Sequence, residues 1–263
     1  MTELELRTRD IERSIIKRFR KEIWRPFVKA LNEYEMIKEG DNIAVCISGG
    51  KDSMLLAKGM QEILRHGKME FGLKFLVMDP GYKPENRQLI EENAKLMGIP
   101  VHIFESDIFE VVKDVQDSPC YLCARMRRGN LYANARELGC NKIALGHHYD
   151  DAVETFVMNL LFEGRIGCFQ PVTNLDRTGI IQIRPMLYIH ERTIDGFVSR
   201  MQLPVIENRC PADKNTKRQE IKELIFQLSS TYPDLKERVF GAMQRLPLPE
   251  WGPRGRYNRP KDV

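Results

Sequence analysis

The sequence lacks any long hydrophobic run. Its longest uninterrupted apolar stretch extends only from Ile43 to Ile47, whereas a membrane-spanning helix needs about 20 apolar residues. The N-terminal segment includes Glu3, Glu5 and Asp10. It has neither the apolar core of a secretory signal nor the acid-poor composition of a transit peptide. We therefore expect no membrane span and a cytoplasmic location.

Cysteine is scarce and internal repeats are absent. Six cysteines in 263 residues are too few to make disulfides the basis of a fold of this length. The sequence also contains neither G-x-x-x-x-G-K-S/T nor G-x-G-x-x-G, the two commonest nucleotide-binding signatures. With 42% apolar and 30% charged residues, the composition is that of an ordinary globular protein.

Positive charge is in slight excess and is unevenly placed. The chain carries 41 Lys and Arg against 37 Asp and Glu, which gives a net charge of +4. Basic residues cluster at 11–29, at 124–128 and at 254–261. Three such clusters indicate a polyanionic partner such as a nucleic acid. A solvated helix face or a free basic tail is the alternative for each cluster taken alone.

Short apolar segments alternate with helical patterns along the chain. Strands are predicted at 43–47, 73–78, 101–104, 142–145 and 180–183, and helices at 8–37, 52–66, 84–97, 123–138, 150–162, 190–202, 216–229 and 233–245. This alternation predicts an α/β fold with a doubly wound, parallel, five-stranded sheet in the order 3-2-1-4-5. The loops after the first and fourth strands then flank the switch point, where ligands bind.

The loop after the first strand reads SGGKDS. Gly49 and Gly50 permit a tight turn and a close approach of the backbone to a ligand. The following helix offers unpaired N–H groups and the positive end of its dipole. Ser48 and Ser53 add hydroxyl groups, and Lys51 adds a positive charge. The combination predicts a cradle for phosphate or pyrophosphate, with a simple capped turn as the alternative.

The loop after the fourth strand reads GHHYDD and begins at Gly146. We expect it to lie beside the phosphate cradle, because both loops follow parallel strands at the same edge of the sheet. Asp150 and Asp151 are candidates for binding Mg²⁺ or for capping the next helix. His147 and His148 are candidates for packing at the strand end.

Three cysteines are candidate ligands. Cys120 and Cys123 form a C-x-x-C pair before an arginine-rich helical turn, and Cys210 stands alone in a later loop. A redox dithiol, a zinc site completed by a histidine and an iron–sulfur cluster are the open alternatives. Three thiolates favour a [4Fe-4S] cluster with one iron free to bind sulfide. Cys46 and Cys140 lie in or beside apolar stretches and are interpreted as buried core residues.

The segments SGGKDS and GHHYDDAVET resemble the two nucleotide-binding motifs of the N-type ATP pyrophosphatases, the PP-loop superfamily. The resemblance implies cleavage of ATP between the α and β phosphates, with the AMP group placed on a carbonyl oxygen. It also implies Mg²⁺, with Asp151 as the expected ligand. The residues expected to bind ATP are Ser48, Gly49, Gly50, Lys51, Asp52, Ser53, Met78, Asp79, Gly146 and Asp151.

CYLCARMRRG, taken together with IKEGDNIAVCISGGKDS and GHHYDD, is similar to the tRNA 2-thiocytidine synthetase (TtcA) family, over roughly residues 12–230. This resemblance implies that the C2 oxygen of an anticodon-loop cytidine in tRNA is replaced by sulfur. It implies a [4Fe-4S] cluster held by Cys120, Cys123 and Cys210. A PP-loop sulfurtransferase for another tRNA base, of the 2-thiouridine type, or for a small molecule is the alternative.

The same resemblance sets expectations for catalysis and for partners. Lys51, Asp52, Arg127 and Asp151 are the expected catalytic residues, with Lys51 neutralising the departing pyrophosphate. Arg127 is expected to face the cluster or the adenylate, and an RNA phosphate is its alternative partner. The expected partners are tRNA and a sulfur donor, either sulfide or the persulfide of a cysteine desulfurase. A homodimer is also considered.

The resemblance divides the chain into four parts. They are an N-terminal helical extension at 1–39, a PP-loop ATP pyrophosphatase domain at 40–205, a C-terminal helical segment carrying Cys210 at 206–246, and a basic flexible tail at 247–263. The stretch 163–179 does not match the family closely, and Glu207 stands where many members carry a further cysteine.

Overall fold

The computed structural model describes residues 2–113, 115, 119–206 and 217–245. The strands are β1 (Asn42–Ile47), β2 (Gly72–Asp79), β3 (Val101–Glu105), β4 (Lys142–Ala144), β5 (Val172–Leu175) and β6 (Ile180–Ile183). The helices are α1 (Glu3–Arg13), α2 (Arg25–Glu33), α3 (Lys51–His66), α4 (Pro84–Leu96), α5 (Ile108–Lys113), α6 (Pro119–Glu137), α7 (Tyr149–Phe162), α8 (Glu191–Met201), α9 (Lys217–Thr231) and α10 (Leu235–Gln244). Among the described residues, none of these helices combines the length and the apolarity that crossing a bilayer requires.

The strands form one sheet in the order β3-β2-β1-β4-β6-β5. β1 pairs in parallel with β2 and β4, β2 with β3, and β4 with β6. The predicted α/β class and the predicted strand order are confirmed, and the fifth predicted strand is β6. β2 and β3 are added on one side of β1, and β4 and β6 on its other side. The carboxyl ends of β1 and β4 therefore border the switch point of the fold.

The number of strands is a correction to the prediction. In the part of the chain that the structure describes the sheet has six strands, because β5 adds an antiparallel edge to β6. The turn between them closes with hydrogen bonds from the Thr178 and Gly179 amides to the Leu175 carbonyl oxygen. Only four residues make up β5, and Asn174 among them has low strand propensity. A strand this short and polar has no clear hydrophobic signal.

The central strands are buried on both faces. Ile43 and Val45 of β1 belong to the main core, whereas Ala44 lies in a smaller apolar cluster that Ala135 of α6 and Ile143 of β4 complete. Helices cover each face of the sheet. Two-sided burial explains why the sequences of these strands are continuous apolar runs and not alternating patterns.

The predicted long N-terminal helix is divided into α1 and α2. Two π-helical turns, Ser14–Arg18 and Arg20–Trp24, separate them. The ring of Phe19, the residue between these turns, packs edge-on against Phe197 of α8 with the centroids 5.2 Å apart. Pro26 lies in the first turn of α2, where a missing N–H is tolerated. The interruption of the predicted helix therefore lies in the π-helical turns that precede Pro26.

A buried ion pair joins α1 to α3. The Lys58 side chain is 1% exposed, and its ammonium group lies 2.7 Å from a carboxylate oxygen of Glu12. The same ammonium donates to Gln61 Oε1 at 2.8 Å and to the Met97 carbonyl oxygen at 3.0 Å. Burial opposes ionisation of Glu12, but hydrogen bonds from Arg65 and Lys58 outweigh it and lower the pKa of this carboxyl.

We predict that Glu12→Gln destabilises the protein by roughly 3–5 kcal/mol, because it removes the carboxylate that pairs with the buried Lys58 ammonium. The double variant Glu12→Gln with Lys58→Met removes both charges and is expected to recover much of this loss. Urea denaturation of both variants and of the wild type measures the free energy of unfolding. Equal destabilisation in the single and double variants would contradict this role of the ion pair.

The Glu12 carboxylate makes the free energy of unfolding decrease as the pH falls. Because folding lowers the pKa of Glu12 from its ordinary value of 4.5, the contribution of this carboxylate is complete above that pH. It is lost as the pH falls through the lower folded pKa. The wild type should therefore lose more stability than Glu12→Gln on acidification below this value.

Candidate active site

The loops after β1 and β4 meet at the carboxyl edge of the sheet. Gly146 lies so close to α3 that a Cβ there would be 3.3 Å from the carbonyl carbon of Asp52 and 3.3 Å from the amide nitrogen of Ser53. His148 Nε2, from the same loop, lies 3.9 Å from Asp52 Oδ1. The predicted meeting of the two motifs at one edge of the sheet is confirmed, and the region between the two loops is called the crevice below.

The SGGKDS loop is shaped by its own hydrogen bonds. Gly49 has a φ of +78°, a left-handed conformation that glycine adopts without strain. The Ser53 hydroxyl donates to the Gly50 carbonyl oxygen at 2.9 Å and accepts from the Ser48 amide at 3.1 Å. Gly50 is the N-cap of α3 and supplies no side-chain cap. The first N–H groups of α3 therefore have no intrahelical acceptors and form an anion-binding terminus.

Lys51 is neutralised by three carboxylates. Its ammonium nitrogen lies 3.1 Å from Glu191 Oε1, 3.2 Å from Asp52 Oδ1 and 3.5 Å from Asp195 Oδ1. Burial alone would lower the pKa of Lys51, but these carboxylates outweigh it and raise the pKa. Lys51 is thus a permanent cation beside the loop. A bound phosphate must compete with the carboxylates for it.

Glu191 connects the loop to two further helices. Its carboxylate oxygens lie 2.7 and 2.9 Å from Lys222 Nζ of α9, in addition to the contact with Lys51. Its backbone N–H donates to Asp150 Oδ2 at 2.7 Å. Burial opposes ionisation, but the two lysines lower the pKa of Glu191 to about 2. Glu191 is therefore anionic throughout the physiological pH range.

Asp151 caps α7. Its Oδ2 accepts the backbone N–H of His148 at 3.0 Å, and His148 Nδ1 accepts the backbone N–H of Asp151 at 3.3 Å. The other oxygen, Oδ1, lies 2.8 Å from Arg218 Nη1 of α9. The capping considered for this aspartate is confirmed. Magnesium binding by Asp151 stays a prediction, for which Oδ1 is the oxygen that the cap leaves available.

Asp150 has a structural role. It is 4% exposed, and its two oxygens accept the Glu191 N–H and pair with Lys236 of α10. Burial opposes ionisation, but the hydrogen bonds from Glu191 and Lys236 outweigh it and lower the pKa of Asp150. This carboxylate fastens α8 and α10 to the start of α7.

Asp52 and Asp151 are suited to share a divalent cation. Burial raises the pKa of Asp52, Lys51 and His148 oppose this, and the negative charge of Asp151 adds to the increase. His148 Nε2 lies 3.9 Å from one carboxylate and 3.4 Å from the other. Mg²⁺ prefers carboxylate oxygens, and it would relieve the repulsion between these two groups. The two side chains therefore have the donor chemistry that Mg²⁺ prefers, and binding of the ion here stays a prediction.

His147 packs against the hairpin region. Its ring lies 4.9 Å from that of Phe169, whose face also receives the Arg184 guanidinium at 4.8 Å. Burial lowers the pKa of His147 to about 4, so the imidazole is neutral near neutral pH. Its Nδ1 is buried and has no hydrogen-bond partner among the described residues. The packing role considered for His147 is consistent with this geometry.

Met78 and Asp79 end β2, next to β1, as expected from the sequence. Met78 is buried. Asp79 Oδ1 accepts the N–H groups of Gly81 and Tyr82 at 2.9 and 2.7 Å, and its Oδ2 lies 3.0 Å from Arg87 Nη1. The side chain of Asp79 therefore holds its own turn. Nucleotide contact by either residue stays a prediction.

The C-x-x-C pair lies at the start of α6. Cys120 is in the first turn and Cys123, which is half-buried, follows one turn later. This spacing puts both positions on one face of the helix. The Arg127 guanidinium lies 5.4 Å from the Phe109 ring of α5, and its Nε is buried without a partner within the described ranges. Contact of Arg127 with a cluster or an adenylate stays a prediction.

The third candidate ligand, Cys210, lies outside the described residues, and the side chain of Cys120 is not described. The proposed three-cysteine set is therefore not tested. In the part of the chain that the structure describes, no group of three His, Cys, Asp or Glu side chains is arranged to hold a metal ion. The half-buried thiol of Cys123 at the start of a helix is compatible with a soft-metal ligand.

Three further described cysteines lie away from the C-x-x-C pair, and their thiols are half-buried or buried. Cys140 is buried in the small apolar cluster under α6, as predicted, whereas Cys46 is half-buried and packs against that cluster. Burial raises the pKa of Cys46 to about 12. Burial likewise raises the pKa of Cys168 to about 11. Both of these residues remain neutral thiols near neutral pH, so they are poor metal ligands.

Sequence reasoning missed three charged residues that border the crevice: Glu191, Arg218 and Lys222. The last two lie four residues apart, a spacing that places them on one face of the predicted helix. That signal was present in the sequence. It does not reveal that this face meets Asp151 and Glu191, because those contacts span 67 and 31 residues along the chain.

Comparison with known proteins connects this crevice with a family. A family model described as the PP-loop domain matches residues 18–229. The chain is 36% identical over 242 residues to the tRNA-cytidine(32) 2-sulfurtransferase of Alcanivorax borkumensis, covering 89% of this chain and 84% of that protein. It is 38% identical over 225 residues to the enzyme of the same name from Dechloromonas aromatica, covering 83% and 77%.

Among solved structures, the U34-tRNA thiolase NcsA from Methanococcus maripaludis, determined with its [4Fe-4S] cluster, is similar with a TM-score of 0.70. The match covers 92% of this chain and 80% of that one at 21% sequence identity, a level that shows a shared fold. The PP-loop match and the sequence relatives together cover most of the chain. The chain therefore belongs to the PP-loop family, in the group of the tRNA-cytidine(32) 2-sulfurtransferases.

Proposed function

We propose that this chain is an ATP-dependent tRNA sulfurtransferase that replaces the C2 oxygen of an anticodon-loop cytidine by sulfur and releases AMP and pyrophosphate. One observation carries the proposal. The Gly146 backbone lies against the first turn of α3, so that the phosphate loop and the pair Asp52 and Asp151 border one crevice. The reaction is inferred from the names of the sulfurtransferase relatives, and we propose this crevice as its nucleotide site.

The phosphates of ATP bind at the N-terminus of α3. The N–H groups that follow Gly50 would donate to the phosphate oxygens. The Ser53 hydroxyl stays bonded to the Gly50 carbonyl oxygen, and the Ser48 hydroxyl lies against Ser53 Oγ, so both hold the loop in shape. Lys51 adds a positive charge once phosphate replaces its carboxylate partners. The N–H groups and Lys51 stabilise the negative charge that develops on pyrophosphate as the bond between the α and β phosphates breaks.

The C2 oxygen of the base attacks the α-phosphorus, and pyrophosphate leaves. Sulfur then replaces the adenylated oxygen at C2, and AMP leaves. When bound, Mg²⁺ would supply charge neutralisation, and the [4Fe-4S] cluster would bind the sulfide that the donor provides. Asp52 and Asp151 would hold the metal ion, and Cys120, Cys123 and Cys210 would hold the cluster. The sulfur donor is sulfide, or the persulfide of a cysteine desulfurase once an external reductant supplies the two electrons that convert its outer sulfur to sulfide.

Two described contacts support a role for Cys210 near the crevice. The Ile206 N–H donates to the Gly49 carbonyl oxygen at 3.1 Å, and Arg218 pairs with Asp151. The chain is therefore fastened to the candidate site on both sides of the stretch that contains Cys210.

The tRNA is expected to bind through the basic clusters. Arg125 and Arg128 are exposed on α6, next to the C-x-x-C pair, and Arg20 and Lys21 belong to the N-terminal cluster. Contacts with phosphates make binding sensitive to salt. Anticodon-loop bases are accessible to a protein crevice because they are already unpaired. We also propose that the protein is cytoplasmic and forms a homodimer.

The decisive experiment is anaerobic reconstitution with iron and sulfide, followed by incubation with tRNA, ATP, Mg²⁺ and sulfide. Digestion of the tRNA and mass spectrometry of its nucleosides should show 2-thiocytidine, with one AMP formed per modified base. Formation of 2-thiouridine would assign the chain to another base. Conversion of ATP to AMP without any tRNA modification would indicate a small-molecule substrate and contradict the proposal.

We predict that Gly146→Ala weakens ATP binding by about tenfold or more, because the new Cβ displaces the N–H groups that open α3. Equilibrium binding of α,β-methylene-ATP measures the effect. Gly196→Ala is the matched control, since Gly196 lies on α8 with no atom within 4 Å of its Cβ position. Equal nucleotide affinity in both variants would show that the close approach at Gly146 is unimportant for binding.

The cysteines should separate into two classes. We predict that Cys120→Ala, Cys123→Ala and Cys210→Ala each lose cluster iron and cluster absorbance after reconstitution, whereas Cys46→Ala and Cys168→Ala retain both. The reason is that burial holds the pKa of Cys46 at about 12 and of Cys168 at about 11, and iron binds the thiolate. Iron analysis and visible spectra measure the outcome. A normal cluster in any of the first three variants would remove that residue from the ligand set.

A further inference from the structure

Arg218 occupies the oxygen of Asp151 that helix capping leaves available. Its Nη1 lies 2.8 Å from Asp151 Oδ1, and its Nη2 donates to Thr155 Oγ1 at 3.2 Å. Glu154 Oε2 is a more distant third partner at 3.8 Å. The Arg218 side chain is 42% exposed, whereas that of Asp151 is 20% exposed. The guanidinium group therefore covers the carboxylate from the solvent side.

This ion pair and a metal ion exclude one another. A Mg²⁺ ion on Asp151 Oδ1 would lie about 2.1 Å from that oxygen, next to the guanidinium group. Two cations at such a separation repel strongly when they are partly desolvated. Arg218 contacts Asp151 through a single nitrogen and not through the bidentate fork that makes arginine–carboxylate pairs strong. The contact can therefore be exchanged.

A second ion pair holds α9 in place during such an exchange. Lys222, one turn after Arg218 on the same helix face, is bound to Glu191 at 2.7 and 2.9 Å. Glu191 also contacts Lys51 at the start of α3. The helix that carries Arg218 is thus connected to the phosphate loop through Glu191. A guanidinium released from Asp151 stays beside that loop, where the phosphates of ATP are its preferred partners.

We propose that Arg218 is a phosphate-binding residue of the nucleotide site. While no divalent cation is bound, Arg218 pairs with Asp151. When the cation binds Asp151, the Arg218 guanidinium binds the phosphates of ATP instead. Because this inference rests on the proposed ATP-dependent reaction, its test needs a measurement on the metal alone as well as one on the nucleotide. In this exchange Arg218 neutralises Asp151 before the metal binds and the ATP phosphates afterwards. Binding of the metal ion therefore favours binding of the nucleotide.

The test uses Arg218→Gln in the full-length chain. Titration with Mn²⁺ alone, followed by electron paramagnetic resonance, should show tighter metal binding than in the wild type, because the competing cation is gone. Binding of α,β-methylene-ATP in the presence of Mg²⁺ should weaken by about tenfold or more, as expected for the loss of a charge-assisted hydrogen bond. Arg218→Lys keeps the positive charge but lacks the planar guanidinium group. Its affinities for Mn²⁺ and for α,β-methylene-ATP should lie between those of the wild type and of Arg218→Gln.

Arg238→Gln is the matched control. Arg238 lies on the neighbouring α10, its side chain is 77% exposed and it pairs with Asp234, so the variant makes the same chemical change away from the crevice. It should leave both affinities at the wild-type value. Thermal unfolding, monitored by circular dichroism, verifies that each variant is folded.

The two affinities distinguish the outcomes. A parallel loss of metal and nucleotide binding in Arg218→Gln would show a merely structural role and overturn the inference. Unchanged nucleotide binding would also overturn it, with the proposed function intact. If the wild type itself binds no α,β-methylene-ATP, the proposed function fails and the assignment of Arg218 fails with it.

Discussion

The close approach between the Gly146 backbone and the first turn of α3 is the constraint on which the site depends. A parallel sheet places the ends of β1 and β4 side by side, but side chains would normally hold the following loops apart. Gly146 has no Cβ, and a Cβ at this position would lie only 3.3 Å from the Asp52 carbonyl carbon and from the Ser53 amide nitrogen. His148 and Asp151 follow within the same loop and the same helical turn, which places both motifs around one crevice.

Within that crevice the charges of the protein neutralise each other. Lys51 is held by Glu191 and Asp52, and Asp151 is held by Arg218. Each group is partly removed from water, so none is left without a partner of opposite charge. Binding of a metal ion and a triphosphate is then an exchange of partners. Its free energy is the difference between two sets of charge-assisted hydrogen bonds.

The environment of each cysteine decides its chemistry. Cys46 packs against an apolar cluster, and the Cys168 thiol donates to the Ala152 carbonyl oxygen; burial raises the pKa of both thiols well above neutral pH. Cys123 lies instead on α6, where exposed arginines surround the start of the helix. The chain on both sides of Cys210 is fastened to the crevice through Ile206 and Arg218. The same residue type can therefore be a core side chain at one position and a ligand candidate at another.

Local patterns in the sequence determined the main helices, the parallel strands and their order, because burial periodicity and turn residues act over neighbouring positions. They also identified the SGGKDS loop and the GHHYDD loop. The short strand β5 and the helix α5 escaped prediction, since each has few residues and a weak pattern. Only the tertiary structure decided that Arg218 and Glu191 border the crevice and that the Asp79 side chain serves its own turn. The physical reason is that ion pairing acts through space, and charges far apart in sequence become partners only once the sheet brings their helices together.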